Sequence, residues 1–336
     1  MSRMLADTSV GVRVSLATSA GQLLVLISRS DADSSGSVVD EDHRSAFSIP
    51  SPDASPARTA PVPTPHMHFV DEAILPLVQR LLHDPDPSVC SNALRAVANA
   101  SQSLNKADDG EGVDFVPVLK EKQVLRLLPT LTHLSTNEKW RVRRSAVEVV
   151  PALVKSTGGM KARAEIGKLV VGLLSDPVAE VRKSAAFSLC VASSAGNSKK
   201  KKGDDWLDAV IMPHLQACIV SQDHRQRLVA LDMLRTLIGN QWDGGRGAGK
   251  GRGTKILQFV AMTFNMREDN LANVRLAACR ALAEVPLQEI LSVLGETDAG
   301  AEKMKKDVQE GMEQLLEKDK DRDVIYFSKL ALTRLA

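Results

Sequence analysis

A short pattern of apolar, basic and small residues returns seven times along the chain. Each copy begins with valine, except one that begins with Gln226. A basic residue follows in five copies, and Cys90 or Ile325 follows in the other two. Six copies have Val or Leu eight positions after the start. Six of the seven copies carry Ala or Ser four positions on. Offsets of four and eight lie on one face of an α-helix, so each copy predicts an amphipathic helix with a small-residue contact point. The copies begin at Val12, Val89, Val142, Val181, Gln226, Val274 and Val324.

A polar turn and a further apolar segment precede these copies. Asp, Asn or Ser stands six residues before each basic position, and these residue types close turns and cap helix N-termini. The apolar segments include 74–78, 127–131 and 211–215, each with a proline that we expect to kink the helix. The predicted unit is therefore helix, polar turn, helix. The turn residues are Asp7, Asp84, Asn137, Asp176, Ser221, Asp269 and Asp319.

The spacing of the copies predicts how these units assemble. After the first gap the starts lie 39 to 53 residues apart, as in helical repeats that stack and bury their apolar faces against their neighbours. Aromatic residues make up only 3% of the chain, which disfavours a sheet sandwich. We predict an all-α solenoid, an armadillo-like superhelix of about six and a half repeats. It comprises a partial repeat over 5–29 and the main solenoid over 66–336.

The wide first gap is explained by an insertion. Residues 30–65 are dominated by Ser, Asp, Ala and Pro and show no sustained apolar period, so this segment is predicted to be disordered. Shorter insertions are expected between repeats near 105–112, 195–203 and 241–253. The chain begins with the second helix of a repeat, which suggests either another cap there or a longer solenoid. Both alternatives stay open.

The net charge, the apolar segments and the cysteines indicate where in the cell the protein is expected. The formal net charge of +2 implies no global attraction to nucleic acid or to a membrane. Leu16–Ile27 is apolar enough to resemble a signal-peptide core, but it fits a repeat helix better, and no stretch of the chain is expected to reach the roughly 18 to 20 apolar residues of a membrane span. Four scattered cysteines predict buried thiols rather than disulfides or metal ligands. We expect a cytoplasmic protein, with the nucleus as an open alternative.

Chemical motifs are scarce, so no catalytic residue, metal site or cofactor is predicted. His66 and His68 stand close together without a carboxylate or cysteine at ligand spacing. The segment Gly244–Gly253 lacks the phosphate-loop pattern and is interpreted as a flexible basic linker, with an RNA contact as the alternative. Lys199–Lys202 is interpreted as a solvated loop, with a nuclear address as the alternative.

Several turns resemble one family of repeat proteins. Lys139-Trp140-Arg141-Val142-Arg143, followed by Glu148-Val149-Val150-Pro151, is similar to a HEAT repeat of the scaffold A subunit of protein phosphatase 2A. The resemblance continues in order through 176–186, 205–213 and 271–275 to 323–332, and it covers about 71–336. The Trp-Arg-Val-Arg turn is its most specific element.

This resemblance implies a non-catalytic scaffold whose last five repeats hold the phosphatase catalytic subunit through the turns inside each repeat. Trp140 and Arg141 are then the strongest contact candidates, as a large anchor and a carboxylate partner. The family carries an aromatic tyrosine in the turn where this chain has His224. Variable regulatory subunits bind N-terminal repeats of the family that have no counterpart here. The predicted partner-binding residues are Trp140, Arg141, Val178, His224, Asn270, Leu271 and Arg322.

Two other readings of the turns stay open. A tubulin-binding HEAT array would need basic turns, whereas acidic residues such as Asp86, Glu138 and Glu180 make these turns mixed. A nucleic-acid adaptor would use the basic insertions and would bind with a steep dependence on salt. The arginines Arg143, Arg182 and Arg275 are predicted to pair with turn acids between repeats rather than to bind a partner.

Overall fold

The computed structural model describes residues 2–36, 69–103, 119–157, 160–194, 206–242, 250–295 and 299–335. Every regular element within these ranges is a helix. The chain is therefore an all-α helical-repeat solenoid, as predicted. It divides into two compact units, Met1–Leu131 and Thr132–Ala336.

The first unit contains two long helices in direct contact. Helix α2 (Val10–Gly36) packs along α4 (Pro87–Ser103), and α2 buries Leu16, Ala17, Ala20 and Leu24. The helices approach closely at Gly21, where an added Cβ would lie 2.6 Å from the Cβ of Ala96. The elements that begin in this unit are α1 (Ser2–Leu5), α2 (Val10–Gly36), a π-helical turn (Val70–Ile74), α3 (Leu75–Leu82), α4 (Pro87–Ser103) and α5 (Glu121–Ser135).

Helix α2 is longer than the sequence indicated. It continues to Gly36, so the boundary expected between residues 29 and 30 is wrong. The reason is that no glycine or proline, the residues that interrupt helices most strongly, intervenes between Arg29 and Ser35. Residues 241 and 250–253 are likewise helical rather than part of an insertion. The disorder predicted for 37–65 and the insertions predicted near 105–112, 195–203 and 243–249 concern residues outside the described ranges.

The same helix corrects the expectation about membrane spans. Val10–Ile27 is long and apolar enough to cross a membrane by length and composition. Its serines and glycines and Thr18 interrupt the apolar run without adding charge, and Arg13 is its one charged residue. Near an N-terminus such a segment is weak evidence, because core helices and signal sequences share this composition. Here 33% of the segment is buried, which includes its contact with α4.

The second unit stacks helix pairs. The second helix of each repeat packs on the second helix of the next repeat. These second helices are, in order, α6 (Trp140–Glu148), α9 (Ala179–Ser194), α11 (His224–Gln241), α13 (Ala272–Glu284) and α16 (Arg322–Leu335). The small residues predicted at the contact points, Ala146, Ala185, Ala230, Ala278 and Ser328, are all buried. The remaining α-helices are α6 (Trp140–Glu148), α7 (Val150–Ser156), α8 (Met160–Leu173), α9 (Ala179–Ser194), α10 (Met212–Ile219), α11 (His224–Gln241), α12 (Lys250–Asn265), α13 (Ala272–Glu284), α14 (Leu287–Gly295), α15 (Ala299–Lys318) and α16 (Arg322–Leu335).

The repeated proline acts through a π-helical turn at two of its three sites. The N–H of Leu75 donates to the carbonyl of Val70 just before Pro76, and the N–H of Met212 donates to that of Leu207 just before Pro213. Each proline thereby occupies the first turn of the following α-helix, where a missing N–H leaves no hydrogen bond unmade. Pro129 instead lies inside α5.

Candidate functional site

The seven predicted turn residues all close their turns in the same way. Each side chain accepts a hydrogen bond from the backbone N–H two residues on, at 2.8 to 3.2 Å. The helix itself begins later. At Asn137, for example, the turn ends at Lys139, whose extended backbone leads into α6. The prediction of turn closure is therefore confirmed, whereas direct capping of the helix N-terminus by these residues is wrong.

The spacing of six residues between turn and basic position has a direct cause. In five copies the arginine Nη1 donates back to the backbone carbonyl of the turn residue, at 2.6 to 3.0 Å. Cys90 replaces the arginine in a sixth copy, and its Sγ makes the same contact with the carbonyl of Asp84 at 3.2 Å. Six of the seven turns are thus held to the first turns of the helix that follows, whereas the seventh copy has Ile325 at this position and no side-chain donor.

In the second unit these arginines also join neighbouring repeats. Arg143 binds the carboxylate of Asp176 with Nε–Oδ2 at 2.7 Å. Arg227 binds Asp269 and Arg275 binds Asp319 through the same two atoms at the same distance. The predicted pairing is therefore confirmed for Arg143 and Arg275.

The prediction for Arg182 is wrong. Arg182 donates to the carbonyls of Asp176 and Pro177 in its own turn and reaches no acid in the next one, because the next turn residue is Ser221. There Gln226 joins the repeats instead, donating to the carbonyl of Leu174 and to Ser175 Oγ at 3.3 and 3.0 Å. All five turns of this unit are thereby connected in series.

The ion pairs change the acidity of the turn carboxylates. Burial disfavours the charged form of Asp176 and Asp269, but hydrogen bonds from an arginine and from a backbone N–H outweigh it, so the pKa of each lies below its ordinary value. At Asp319 the hydrogen bond from Arg275 is the largest influence, and the pKa is again lowered. These carboxylates are therefore structural anions at neutral pH.

We call the row of five turns in the second unit the turn edge, defined as residues 137–141, 176–180, 221–225, 269–273 and 319–323. All the predicted partner-binding residues lie on it, half-buried or exposed. Several of them begin a helix rather than stand in the turn before it. Trp140 and Arg141 open α6, His224 opens α11 and Arg322 opens α16. Val178, Asn270 and Leu271 lie just before a second helix, and Leu271 is 44% exposed.

Trp140 and Arg141 contact each other. The Arg141 guanidinium carbon lies 4.8 Å from the centre of the Trp140 ring, a distance at which a cation is attracted to the aromatic face. Trp140 is half-buried and Arg141 is exposed. The pair therefore presents an aromatic surface and a positive charge together at one point of the turn edge.

A groove beside the turn edge was not found from the sequence. It has a volume of about 420 Å³ and lies between α10 and α12. Ile219, Val220, Met262 and Met266 form its apolar part, with Glu268 and Asp269 at its acidic end. Val220 is 76% exposed. An aliphatic residue directly before the polar turn residue Ser221 is the only sequence signal that could have indicated it.

The thiols and the acidic side chains offer little reactive chemistry. All four cysteines are buried and unpaired, as predicted. Burial raises the pKa of each thiol, to about 11 for Cys90, which suppresses the reactive thiolate. Among the described residues no group of three or more His, Cys, Asp or Glu side chains could hold a metal ion. His66 and His68 lie outside those residues.

Comparison with known proteins gives a partial assignment. A family profile described as the HEAT repeat matches residues 74–104, the segment from the end of the first π-helical turn through α4. No curated protein sequence matches the chain.

The solved structures that resemble the chain include helical-repeat proteins. A HEAT-like repeat protein from the archaeon Thermococcus onnurineus NA1 is 15% identical, with 80% of this chain and 91% of that chain covered and a TM-score of 0.39. Kap95p, solved in complex with RanGDP, is 13% identical over 80% of this chain and 37% of its own, with a TM-score of 0.42. A designed armadillo repeat protein in complex with a (KR)4 peptide is 16% identical over 78% and 99%, with a TM-score of 0.34.

Proposed function

We propose that this chain is a non-catalytic scaffold that holds the catalytic subunit of a protein phosphatase 2A-type enzyme on its turn edge. Its HEAT-repeat match and helical-repeat fold support a binding or adaptor role in general. The specific partner rests on the resemblance of its turns to the phosphatase scaffold family. In this role the chain regulates phosphatase activity and does not itself catalyse a reaction.

One observation carries the proposal. The seven candidate residues are spread over five consecutive turns that hydrogen bonds connect in series, from Arg143–Asp176 to Arg275–Asp319. Turns held in this way form a continuous, pre-ordered surface. A pre-ordered surface loses less conformational entropy when a partner binds.

The chemistry of the turn edge suits a folded protein better than a polyanion. Exposed acids and bases are mixed along it, with Glu138, Glu180 and Asp323 among Lys139, Arg141, Arg225, Lys320 and Arg322. Nucleic acid would instead favour a run of basic residues. The Trp140–Arg141 pair and the apolar groove beside Val220 add the anchors that protein interfaces use at their centres.

Binding of the purified full chain to a purified phosphatase 2A catalytic subunit, measured by calorimetry, tests the proposal. Saturable binding at about one to one is expected. Absence of binding, together with recovery of tubulin or RNA when the chain is used as bait in native lysate, would replace the proposal with one of the alternatives. Recovery of a variable regulatory subunit together with the catalytic subunit in the bait experiment would show that one joins the complex. We place this function in the cytoplasm.

A further inference from the structure

The turn at Ser221 interrupts a repeated ion pair. In four other places an arginine at the start of a second helix binds the aspartate of the following turn through Nε and Nη2, with Nε–Oδ2 at 2.7 Å each time. Arg182 occupies the equivalent position in α9. The following turn carries Ser221 in place of aspartate. The four complete pairs are Arg13–Asp84, Arg143–Asp176, Arg227–Asp269 and Arg275–Asp319.

Arg182 is held in the same way as the paired arginines. Its Nη1 donates to the carbonyls of Asp176 and Pro177 at 2.7 and 3.0 Å. Nη1 of Arg227 does the same to the carbonyls of its own turn, at 2.8 and 3.1 Å. Because this contact orients a planar guanidinium, the Nε–Nη2 edge of Arg182 faces the next repeat. That edge has no hydrogen-bond acceptor in the described part of the chain.

Ser221 occupies the place of the missing aspartate. Its Oγ accepts the N–H of Asp223 at 3.2 Å, just as Oδ1 of Asp269 accepts the N–H of Leu271 at 2.9 Å. The hydroxyl therefore stands where a carboxylate oxygen stands in the other turns. It differs in carrying no negative charge and in reaching less far.

The turn is open to a modifying enzyme. Ser221 is half-buried and lies between the end of α10 and the start of α11, and its neighbours Val220 and Gln222 are exposed. Helix α11, which is eighteen residues long, begins three residues later at His224. The N-terminus of such a helix favours negative charge. Asp223 carries a negative charge that would repel a phosphate on Ser221, but Arg225 already binds the Asp223 carboxylate at 2.9 Å.

We propose that Ser221 is a phosphorylation site and that Arg182 is the receptor for the phosphate. A protein kinase would transfer the γ-phosphoryl group of a nucleoside triphosphate to Ser221. The Oγ–P bond forms, the bond between γ-phosphorus and the β,γ-bridging oxygen breaks, and the hydroxyl proton leaves to the kinase base. A phosphoserine carries a charge of about −1.5 to −2 at neutral pH, and an arginine can bind two of its oxygens at once.

Phosphorylation would complete the interrupted row of pairs. The added phosphate extends the serine side chain toward the Nε–Nη2 edge of Arg182, so the interface between α9 and α11 gains the ion pair that the other interfaces already have. This interface is also the one where Gln226 replaces the usual valine. The modification would therefore stiffen the one arginine-bearing interface of the second unit that lacks the pair.

The experiment compares the full chain with and without phosphoserine incorporated at position 221. The melting temperature is expected to rise by about 2 to 4 °C, and the first amides of α11 should exchange more slowly. The variant Ser221→Asp should also raise the melting temperature, because it recreates the pair found in the other turns. In the background Arg182→Gln both increases should disappear.

Cellular modification is tested separately. The chain expressed in eukaryotic cells is digested and examined by mass spectrometry, with a phosphatase inhibitor present during lysis. Phosphate on Ser221 is the expected result. No phosphate there, no increase in melting temperature, or an increase that survives Arg182→Gln would each overturn the proposal.

Discussion

Arg143 and Asp176 form a two-point ion pair between consecutive repeats, with Nε–Oδ2 at 2.7 Å and Nη2–Oδ1 at 2.9 Å. The side chains are only 12% and 3% exposed. Nη1 of the same arginine donates to the carbonyl of Asn137 at 2.7 Å. One guanidinium therefore closes its own turn and attaches the next, which makes it a structural centre of the turn edge.

Replacing Arg143 with Ala should destabilise the second unit by about 2 to 3 kcal/mol, because it leaves a buried carboxylate without its charged partner. Urea unfolding followed by circular dichroism measures this change in the free energy of unfolding. The neighbouring Arg144 pairs with Glu148 at an exposed site, 43% and 44% exposed. Arg144→Ala should therefore change stability by less than about 0.5 kcal/mol. Equal losses in the two variants would contradict the structural role assigned to Arg143.

Stability should fall in mild acid because of these pairs. The pKa values of Asp176, Asp269 and Asp319 are lowered in the folded chain. A lowered folded pKa contributes stability above the unfolded value, which is about 4 for aspartate, and this stability is lost as the pH falls through the folded value. The melting temperature should therefore decrease progressively below about pH 5.

The variant Arg143→Ala provides the control for that pH dependence. Without the arginine, Asp176 loses the hydrogen bond that lowers its pKa, so the decrease in melting temperature between about pH 5 and pH 3 should become shallower. A pH profile parallel to that of the unmodified chain would show that this pair does not contribute to acid unfolding.

Ala185 tests the packing of the second helices. It is fully buried in α9 at the predicted small-residue position. Ala185→Leu should overpack the interface and cost about 1 to 3 kcal/mol. Lys183 lies two residues away in the same helix with its side chain 60% exposed, so Lys183→Ala should be nearly neutral. Thermal unfolding distinguishes them, and equal shifts in melting temperature would mean that the helix faces are assigned wrongly.

Gly21 tests the contact between α2 and α4. In an open helical position Gly→Ala stabilises by up to about 1 kcal/mol, but here the new Cβ would meet backbone and side-chain atoms of Ala96 at 2.6 to 3.0 Å. Gly21→Ala should therefore destabilise the first unit. Gly11 in the same helix has only Ser9 Oγ nearby, at 3.6 Å, so Gly11→Ala should be neutral or stabilising. Proteolysis rates of the two variants measure the difference, and the reverse order would refute the close approach.

Trp140 and Arg141 test the proposed function. Replacing both with Ala should weaken binding to the phosphatase catalytic subunit by roughly thirtyfold or more, equivalent to about 2 kcal/mol, because the half-buried Trp140 and the exposed Arg141 together form the proposed anchor at the start of α6. Calorimetric titration measures the affinity, and circular dichroism checks the helix content. The matched variant is Arg144→Ala, one turn further along. Unchanged affinity with unchanged helicity would remove this pair from the site, whereas lost helicity would make Trp140 structural.

The local architecture could be predicted from the sequence. The period of apolar and small residues identified the helical units, and the small positions such as Ala185 are buried as expected. The turn residues were also identified, since Asp, Asn and Ser side chains close a turn through a backbone N–H two residues away. These features depend on contacts within a few residues, which sequence spacing records directly.

The tertiary structure decided which distant residues meet. The sequence did not indicate that Gln226 joins the repeats at the turn that lacks an aspartate, where it donates to the carbonyl of Leu174 and to Ser175 Oγ. The approach of Gly21 to Ala96 was likewise not indicated, and the groove beside Val220 had only one aliphatic residue to suggest it. Such contacts join residues more than thirty positions apart. They depend on how one helix pair packs on another, which local periodicity does not specify.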